Sequence, residues 1–117
     1  MRWLGLLALS LAAAGLGAAS HHASQPASHA PAVTRKVYSV VIANLAFAPT
    51  DLNVRVGDAV QWVNKDMFLH SATSPNHSFD VDLKPNAKAG VVMLRAGVYS
   101  YICRYHPGMK GQIVVQP

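Results

Sequence analysis

The chain has 117 residues, room for one small domain and not for a second core. Apolar residues make up 51% of it and charged residues 13%, which excludes a wholly disordered polymer, although part of the apolar excess falls in the first twenty positions. Ten Lys and Arg against five acidic residues give a net charge of +5. No dense basic run accompanies it, so nucleic acid is excluded as a partner and an acidic protein surface is favoured.

Met1-Arg2 is followed by an apolar run from Trp3 to about Gly17 and then Ala18-Ala19-Ser20. That is the charged, apolar and small-residue order of a secretory signal, so residues 1–19 are expected to direct export to the periplasm. The run falls just short of the ~18 to 20 apolar residues that cross a bilayer, so an uncleaved anchor is the lesser alternative, and no stable membrane insertion is expected once the signal is cleaved. No Cys lies near the cleavage point to carry a lipid. Residues 20–35 are rich in His, Ala, Ser and Pro with little to bury, which reads as a linker. His21, His22 and His29 fall within it, and a spacer with incidental histidines is favoured over a metal-binding tract.

Residues 36–117 carry the folded domain, and from Lys36 onward the pattern is that of strands, without helical periodicity. Tyr38, Val40 and Ile42 alternate with Val37, Ser39 and Val41, and the segment ends in Asn44 to Pro49. Leu52, Val54 and Val56 precede a Gly57-Asp58 turn and then Val60, Trp62 and Asn64, which predicts a hairpin. Phe79, Val81 and Leu83 alternate with polar residues up to Pro85-Asn86, and Val91 to Leu94 form a short strand. Gly97 opens a strand in which Tyr99, Tyr101 and Cys103 share one face, and Ile113 and Val115 lie in the last. Many short strands punctuated by turns indicate an all-β sandwich or barrel, with the sandwich favoured.

Between the last two strands, Cys103-Arg104-Tyr105-His106-Pro107-Gly108-Met109 repeats a metal-binding side chain at every third position. Singly, a Cys is a small buried hydrophobe, a Met is core filler and a His beside Pro is a turn residue. Together they are three of the four donors of a blue-copper site, in which two imidazoles and a thiolate lie around the ion and a thioether sits on its axis. An unpaired thiol in an oxidising compartment is a liability unless a metal holds it. Pro107 and Gly108 let the loop turn and aim its three donors at one point. The missing imidazole is assigned to His70, presented from a short connection after the strand that runs out at Asn64-Lys65-Asp66. His77 is the rival, but it sits among Ser74, Pro75, Asn76 and Ser78 with nothing to orient its ring.

Val60-Gln-Trp-Val-Asn-Lys-Asp leading to His70, and Gly97-Val-Tyr-Ser-Tyr-Ile-Cys103-Arg-Tyr-His106-Pro-Gly-Met109-Lys-Gly-Gln-Ile-Val-Val, resemble a small type 1 copper protein. The family is the cupredoxins, in the plastocyanin and pseudoazurin group, and the two-residue gaps in the ligand loop are closest to those of amicyanin. The resemblance spans about Val37 to Pro117. It implies a Greek-key β-sandwich holding one copper, with His70, Cys103 and His106 equatorial and Met109 axial, that shuttles an electron between larger redox enzymes; a monomer is expected. Two positions depart from the family pattern: Ser71 stands where Asn often follows the first His, and Leu69 where Pro often precedes it.

An outer-sphere electron carrier is therefore expected rather than an enzyme, since oxidase or nitrite-reducing chemistry needs further ligands and an open coordination position. Met67, Phe68, Leu69 and Pro107 would form an apolar rim around the edge of His106. The alternative is a periplasmic copper chaperone or resistance protein, which the histidines of the linker favour and a closed four-donor site opposes.

Overall fold

The computed structural model describes residues 34–117, together with Gly15 and Gly17. Apart from those two glycines, the signal over 1–19 lies outside the described residues, as does most of the linker, with His21, His22 and His29.

Nine strands are formed among the described residues, and no helix: β1 (Val37–Ala43), β2 (Ala46–Ala48), β3 (Asp51–Arg55), β4 (Ala59–Asn64), β5 (His70–Thr73), β6 (Asp80–Leu83), β7 (Lys88–Val92), β8 (Gly97–Ile102) and β9 (Lys110–Gln116). They make two sheets, one in the order β2-β1-β4-β7 and the other β3-β9-β8-β5-β6. All pairings are antiparallel except β1 with β4 and β3 with β9. The expected β-sandwich is thus the fold observed.

Period-two alternation explains which faces meet. Val40 and Ile42 of β1 and Val60 and Trp62 of β4 are fully buried, as are Leu83, Tyr101 and Ile113 from the other sheet. Trp62 lies at the centre of an aromatic group, 5.3 Å from Phe79 and 5.5 Å from Tyr101, and Phe47 meets Tyr101 edge-on at 4.7 Å. A buried ring of this size removes about 200 Å² from water and contributes about 5 kcal/mol before entropy is subtracted. Tyr101 and Cys103 both point inward from the β8 side of the core, as the alternation predicts.

Three expectations are corrected. Residues 51–64 do not form a hairpin: β3 pairs with β9 in one sheet, whereas β4 pairs with β1 and β7 in the other. Both hydrogen-bonding edges of β4 are taken by these neighbours, so β3 has no edge to join, and the turn carries the chain across the sandwich instead. Gly57 supplies the positive φ of 94° there, and the Asp58 carboxylate accepts from Lys36 N at 3.1 Å and Arg55 N at 2.9 Å, tying the two sheets at the corner. The segment after β1 also folds back as β2, through a two-residue turn at Asn44-Leu45. The strand predicted at Val91 to Leu94 runs instead from Lys88 to Val92, and Leu94 is exposed.

Candidate metal centre

His70, Cys103 and His106 converge at one end of the sandwich, their ligand atoms all within 4.8 Å of one another. His70 Nδ1 and His106 Nδ1 each lie 3.7 Å from Cys103 Sγ. His70 and Cys103 are fully buried, His106 is half-buried, and the two imidazole centroids are 4.9 Å apart. His70 is not on a connection, as expected from its sequence, but is the first residue of β5, where it pairs with Leu83 of β6. That places its ring under the control of a sheet rather than a loop.

Cys103 and His106 belong to the loop after β8, which is closed by Cys103 N donating to Met109 O at 3.1 Å and Met109 N donating to His106 O at 2.9 Å. These bonds fold the seven residues into a tight return in which Met109 is buried with the core, and Pro107 and Gly108 remain exposed. His77 sits on the β5–β6 turn with φ 59°, apart from this cluster, as expected.

Ser71, one of the two departures from the pattern of the resemblance, ties together the segments that carry His70 and Cys103. Ser71 N donates to Cys103 Sγ at 3.3 Å, and Ser71 Oγ accepts from Arg104 N at 2.7 Å. The same hydroxyl meets Thr73 Oγ1 at 2.9 Å, and Thr73 Oγ1 donates to Asp80 at 3.0 Å. The N–H aimed at sulfur fixes the direction in which the Cys103 side chain points. Arg104 itself turns outward, with its guanidinium on Asp80 at 2.9 Å and on Asp82 at 2.6 Å. The Arg104 guanidinium, with a further bond from Thr73, holds the Asp80 carboxyl below the usual carboxylate range.

Reasoning from the sequence missed Asp66 and Asn64. The fully buried Asn64 side chain donates to Phe68 O at 2.7 Å and Leu83 O at 2.9 Å and accepts from Asp66 N at 2.9 Å, bracing the 64–69 loop. Asp66 Oδ2 lies 2.9 Å from His70 Nε2. Its carboxyl is held below its ordinary value, first by the backbone N–H of Leu45, then by that of Asn44 and by His70. A carboxylate hydrogen-bonded to a ligating imidazole is the usual partner that fixes the ring's tautomer. The Asp four residues before the His was a visible signal, but nothing in one sequence says that two amides at positions 44 and 45 complete its environment.

The donors suit copper. His70 turns Nδ1 toward the sulfur while Nε2 faces Asp66, and His106 brings a second nitrogen to the same point. Metal–sulfur and metal–nitrogen bonds of ordinary length put the two ligand atoms about 3.7 Å apart, the separation seen for both histidines. Two imidazoles and a thiolate held trigonally are the set that a blue-copper ion takes. Around them, Met67 is 80% and Phe68 49% exposed, Leu69 and Tyr105 are also open to solvent, and Phe68 lies 6.1 Å from His106 between ring centroids.

A two-sheet sandwich with two histidines and a cysteine converging at one end defines a small blue-copper protein. The profile described as a cupredoxin-like domain matches residues 6–115, and the chain belongs to that family. Amicyanin-alpha of Methylorubrum extorquens is 31% identical over 122 residues, spanning 99% of this chain and 100% of the relative. Plastocyanin of Scenedesmus fuscus is 34% identical over 91 residues, covering 62% of this chain and 88% of its own. Among solved structures, the Cu(I) form of an amicyanin methionine-to-alanine mutant aligns with a TM-score of 0.64 at 27% identity, over 73% of this chain and 87% of that one. The reduced state of another amicyanin mutant aligns at 0.63 and 28%, over 68% and 82%.

Proposed function

We propose that His70, Cys103 and His106, with Met109 as a fourth donor, would hold the single copper of a type 1 electron carrier. The observation that carries this is the meeting of two Nδ1 atoms and a buried thiol at 3.7 Å, beside an exposed apolar rim. Copper bound there supplies one-electron chemistry, alternating between Cu(II) and Cu(I) without making a bond to substrate. The chain's part is to hold the donors still. His70 is fixed by Asp66 and its strand, Cys103 by Ser71 N, and the loop by its own backbone bonds, so both oxidation states meet the same geometry. A copper-releasing chaperone needs accessible ligands, and the burial of His70 and Cys103 speaks against that reading.

The half-buried ring of His106, flanked by Phe68, is the port through which electrons pass. Met67, Phe68, Leu69 and Pro107 form the surface a redox partner covers, which suits a small and transient interface. Charge supports an acidic partner. Asp80 and Asp82 are engaged by Arg104, and Asp58 and Asp66 by backbone amides, whereas Lys65, Lys84 and Lys110 follow directly on Asn64, Leu83 and Met109 at the ligand-bearing end. Export by residues 1–19, a spacer over 20–35 and a monomeric domain over 36–117 complete the proposal.

The test is a visible spectrum of the protein loaded with Cu(II), together with its electron-transfer kinetics. An intense thiolate-to-copper band is expected, lost in Cys103→Ser because serine oxygen is a hard and poor donor. A colourless Cu(II) complex refutes the assignment. Phe68→Asp should keep the band yet slow bimolecular electron transfer with an acidic partner, and an unchanged rate would remove the rim from the route.

A further inference from the structure

Arg104 is held at both ends. Its backbone N donates to Ser71 Oγ at 2.7 Å, and its guanidinium reaches across β5 to the edge strand β6, where it donates to Asp80 Oδ2 at 2.9 Å, Asp80 Oδ1 at 3.1 Å and Asp82 Oδ1 at 2.6 Å. β5 and β8 share one register pair, Thr73 with Ile102, so side chains rather than a ladder link the ligand loop to the strands beyond it. Asp82 stands opposite Ser71 in the β5–β6 register, one step from the pair of His70 with Leu83, so the two carboxylates flank the ligand-bearing end. Tyr105, directly before His106, donates from its hydroxyl to Asp82 at 3.0 Å, and its ring centroid is 5.4 Å from the guanidinium carbon. All four side chains are open to solvent. Exposed ion pairs of this kind contribute little to stability, so the larger effect of Arg104 is on the charge of the surface. With it, one positive charge stands against two negative ones; without it, two carboxylates stand bare beside the rim.

We propose that Arg104 is a specificity-determining residue of the docking surface: it caps Asp80 and Asp82, so that the flank of the rim beside His106 admits an acidic partner that the bare carboxylates would repel. The proposal rests on the reading of His106 as the port of a copper electron carrier. Like charges facing one another across an interface slow the encounter and disfavour the complex. The hydroxyls of Thr73 and Tyr105 donate to the same two carboxylates but are neutral, so within this group only Arg104 offsets their charge. Asp80 and Asp82 are two apart on a strand and share a face, and a planar guanidinium with its donors in a fixed fork can span both. The ammonium of a lysine is a point charge on a flexible stem and would cap them less completely.

The experiment compares the full chain with Arg104→Gln, with the triple variant Arg104→Gln/Asp80→Asn/Asp82→Asn, and with Arg95→Gln, an equal loss of charge just before the end of β8 that lies away from the ligand loop. Asparagine keeps an acceptor for the Thr73 and Tyr105 hydroxyls, so the triple variant removes charge without orphaning them. Each Cu(I)-loaded protein passes one electron to hexacyanoferrate(III), an anion that stands in for the acidic partner, or to tris(phenanthroline)cobalt(III), a cation, and stopped flow reads the bimolecular rates at low salt. Arg104→Gln should slow the reaction with the anion about 5-fold and speed that with the cation, the size expected of one charge acting on a multiply charged ion at roughly 10 Å. The triple variant should return the anion to the wild-type rate or above, and Arg95→Gln should move both rates much less. Metal-free protein gives a second readout: hexacyanochromate(III), an inert paramagnetic anion, should broaden the amide signals of Phe68 and Tyr105 less in Arg104→Gln than in the wild type or the triple variant. Equal rates with the anion for wild type and Arg104→Gln, or a triple variant as slow as the single one, overturns the proposal. If the wild-type Cu(II) complex lacks the thiolate band, the carrier reading fails on its own, and the broadening in metal-free protein still decides whether Arg104 governs the approach of anions to this flank.

Discussion

Removing one oxygen atom from Ser71 tests how the two ligand-bearing segments are held together. In Ser71→Ala, Arg104 N loses the acceptor it meets at 2.7 Å, whereas Thr73 Oγ1 keeps Asp80 and Cys103 Sγ keeps its bond from the Ser71 backbone. One N–H left without a partner beside a buried strand costs about 2 kcal/mol, within the range of 1–3 for such losses. In a domain of roughly this size each kcal/mol moves the melting temperature by about 4–8 °C, so a fall of about 8–16 °C is expected. Thermal unfolding followed by circular dichroism, on metal-free and Cu(II)-loaded protein, measures it. Ser71→Thr keeps the hydroxyl and should melt near the wild type. The thiolate band should persist in the Ala variant, because the N–H aimed at sulfur belongs to the backbone. An Ala variant that melts with the wild type would refute the idea that this hydroxyl ties β5 to the ligand loop.

Gly111 lies opposite Tyr101 in the β8–β9 register, and a Cβ there would stand 2.7 Å from Tyr101 Cε1 and nearer still to Cζ. Phe47, Trp62 and Phe79 hold that ring on its other sides, so Gly111→Ala should destabilise by about 3 kcal/mol, the upper range for overpacking, read from urea unfolding. An unchanged urea midpoint would mean that the ring has room to yield. Acid should weaken the fold through Asp58, Asp66 and Asp80, whose carboxyls are depressed chiefly by the Arg55 N–H, the Leu45 N–H and the Arg104 guanidinium respectively. Their stabilisation is complete above the unfolded carboxylate value of roughly 4 and is lost as pH falls through the lower folded values. The urea midpoint should therefore drop below roughly pH 4, and less steeply in Asp58→Asn; a flat profile would contradict the assignment.

The candidate donors were legible because their chemistry is local: Cys103, His106 and Met109 share one short loop, and no alternation rule is needed to see them. The inward face of β8 was legible for a similar reason, since Tyr101 and Cys103 are two apart and a strand repeats every two residues. The β3–β4 connection was not. A Gly57-Asp58 turn looks the same whether the next strand folds back beside the last or crosses to the other sheet, and only the occupied edges of β4 decide. β2 escaped because Ala46-Phe47-Ala48 is too short to show a period, and its turn is stabilised by Asp66, more than twenty residues later in the chain. The rim at Met67 and Phe68 could equally have packed inward, and its exposure emerges only once Asn64 has braced the loop from beneath.

The parallel pairing of β3 with β9 bears on the order of events during folding. Residue 51 meets residue 112, so β3 waits for nearly the whole domain before it gains a partner. Contacts between such distant segments require large loops to close first, and chains dominated by them fold in milliseconds to seconds rather than microseconds. The candidate loop lies immediately before β9, and its last residue, Met109, adjoins the first residue of that strand. Pairing of β9 with β8 sets Met109 beside Cys103, whose backbone N donates to Met109 O. A chain in which β9 has not docked is therefore expected to leave the loop between Cys103 and Met109 unclosed.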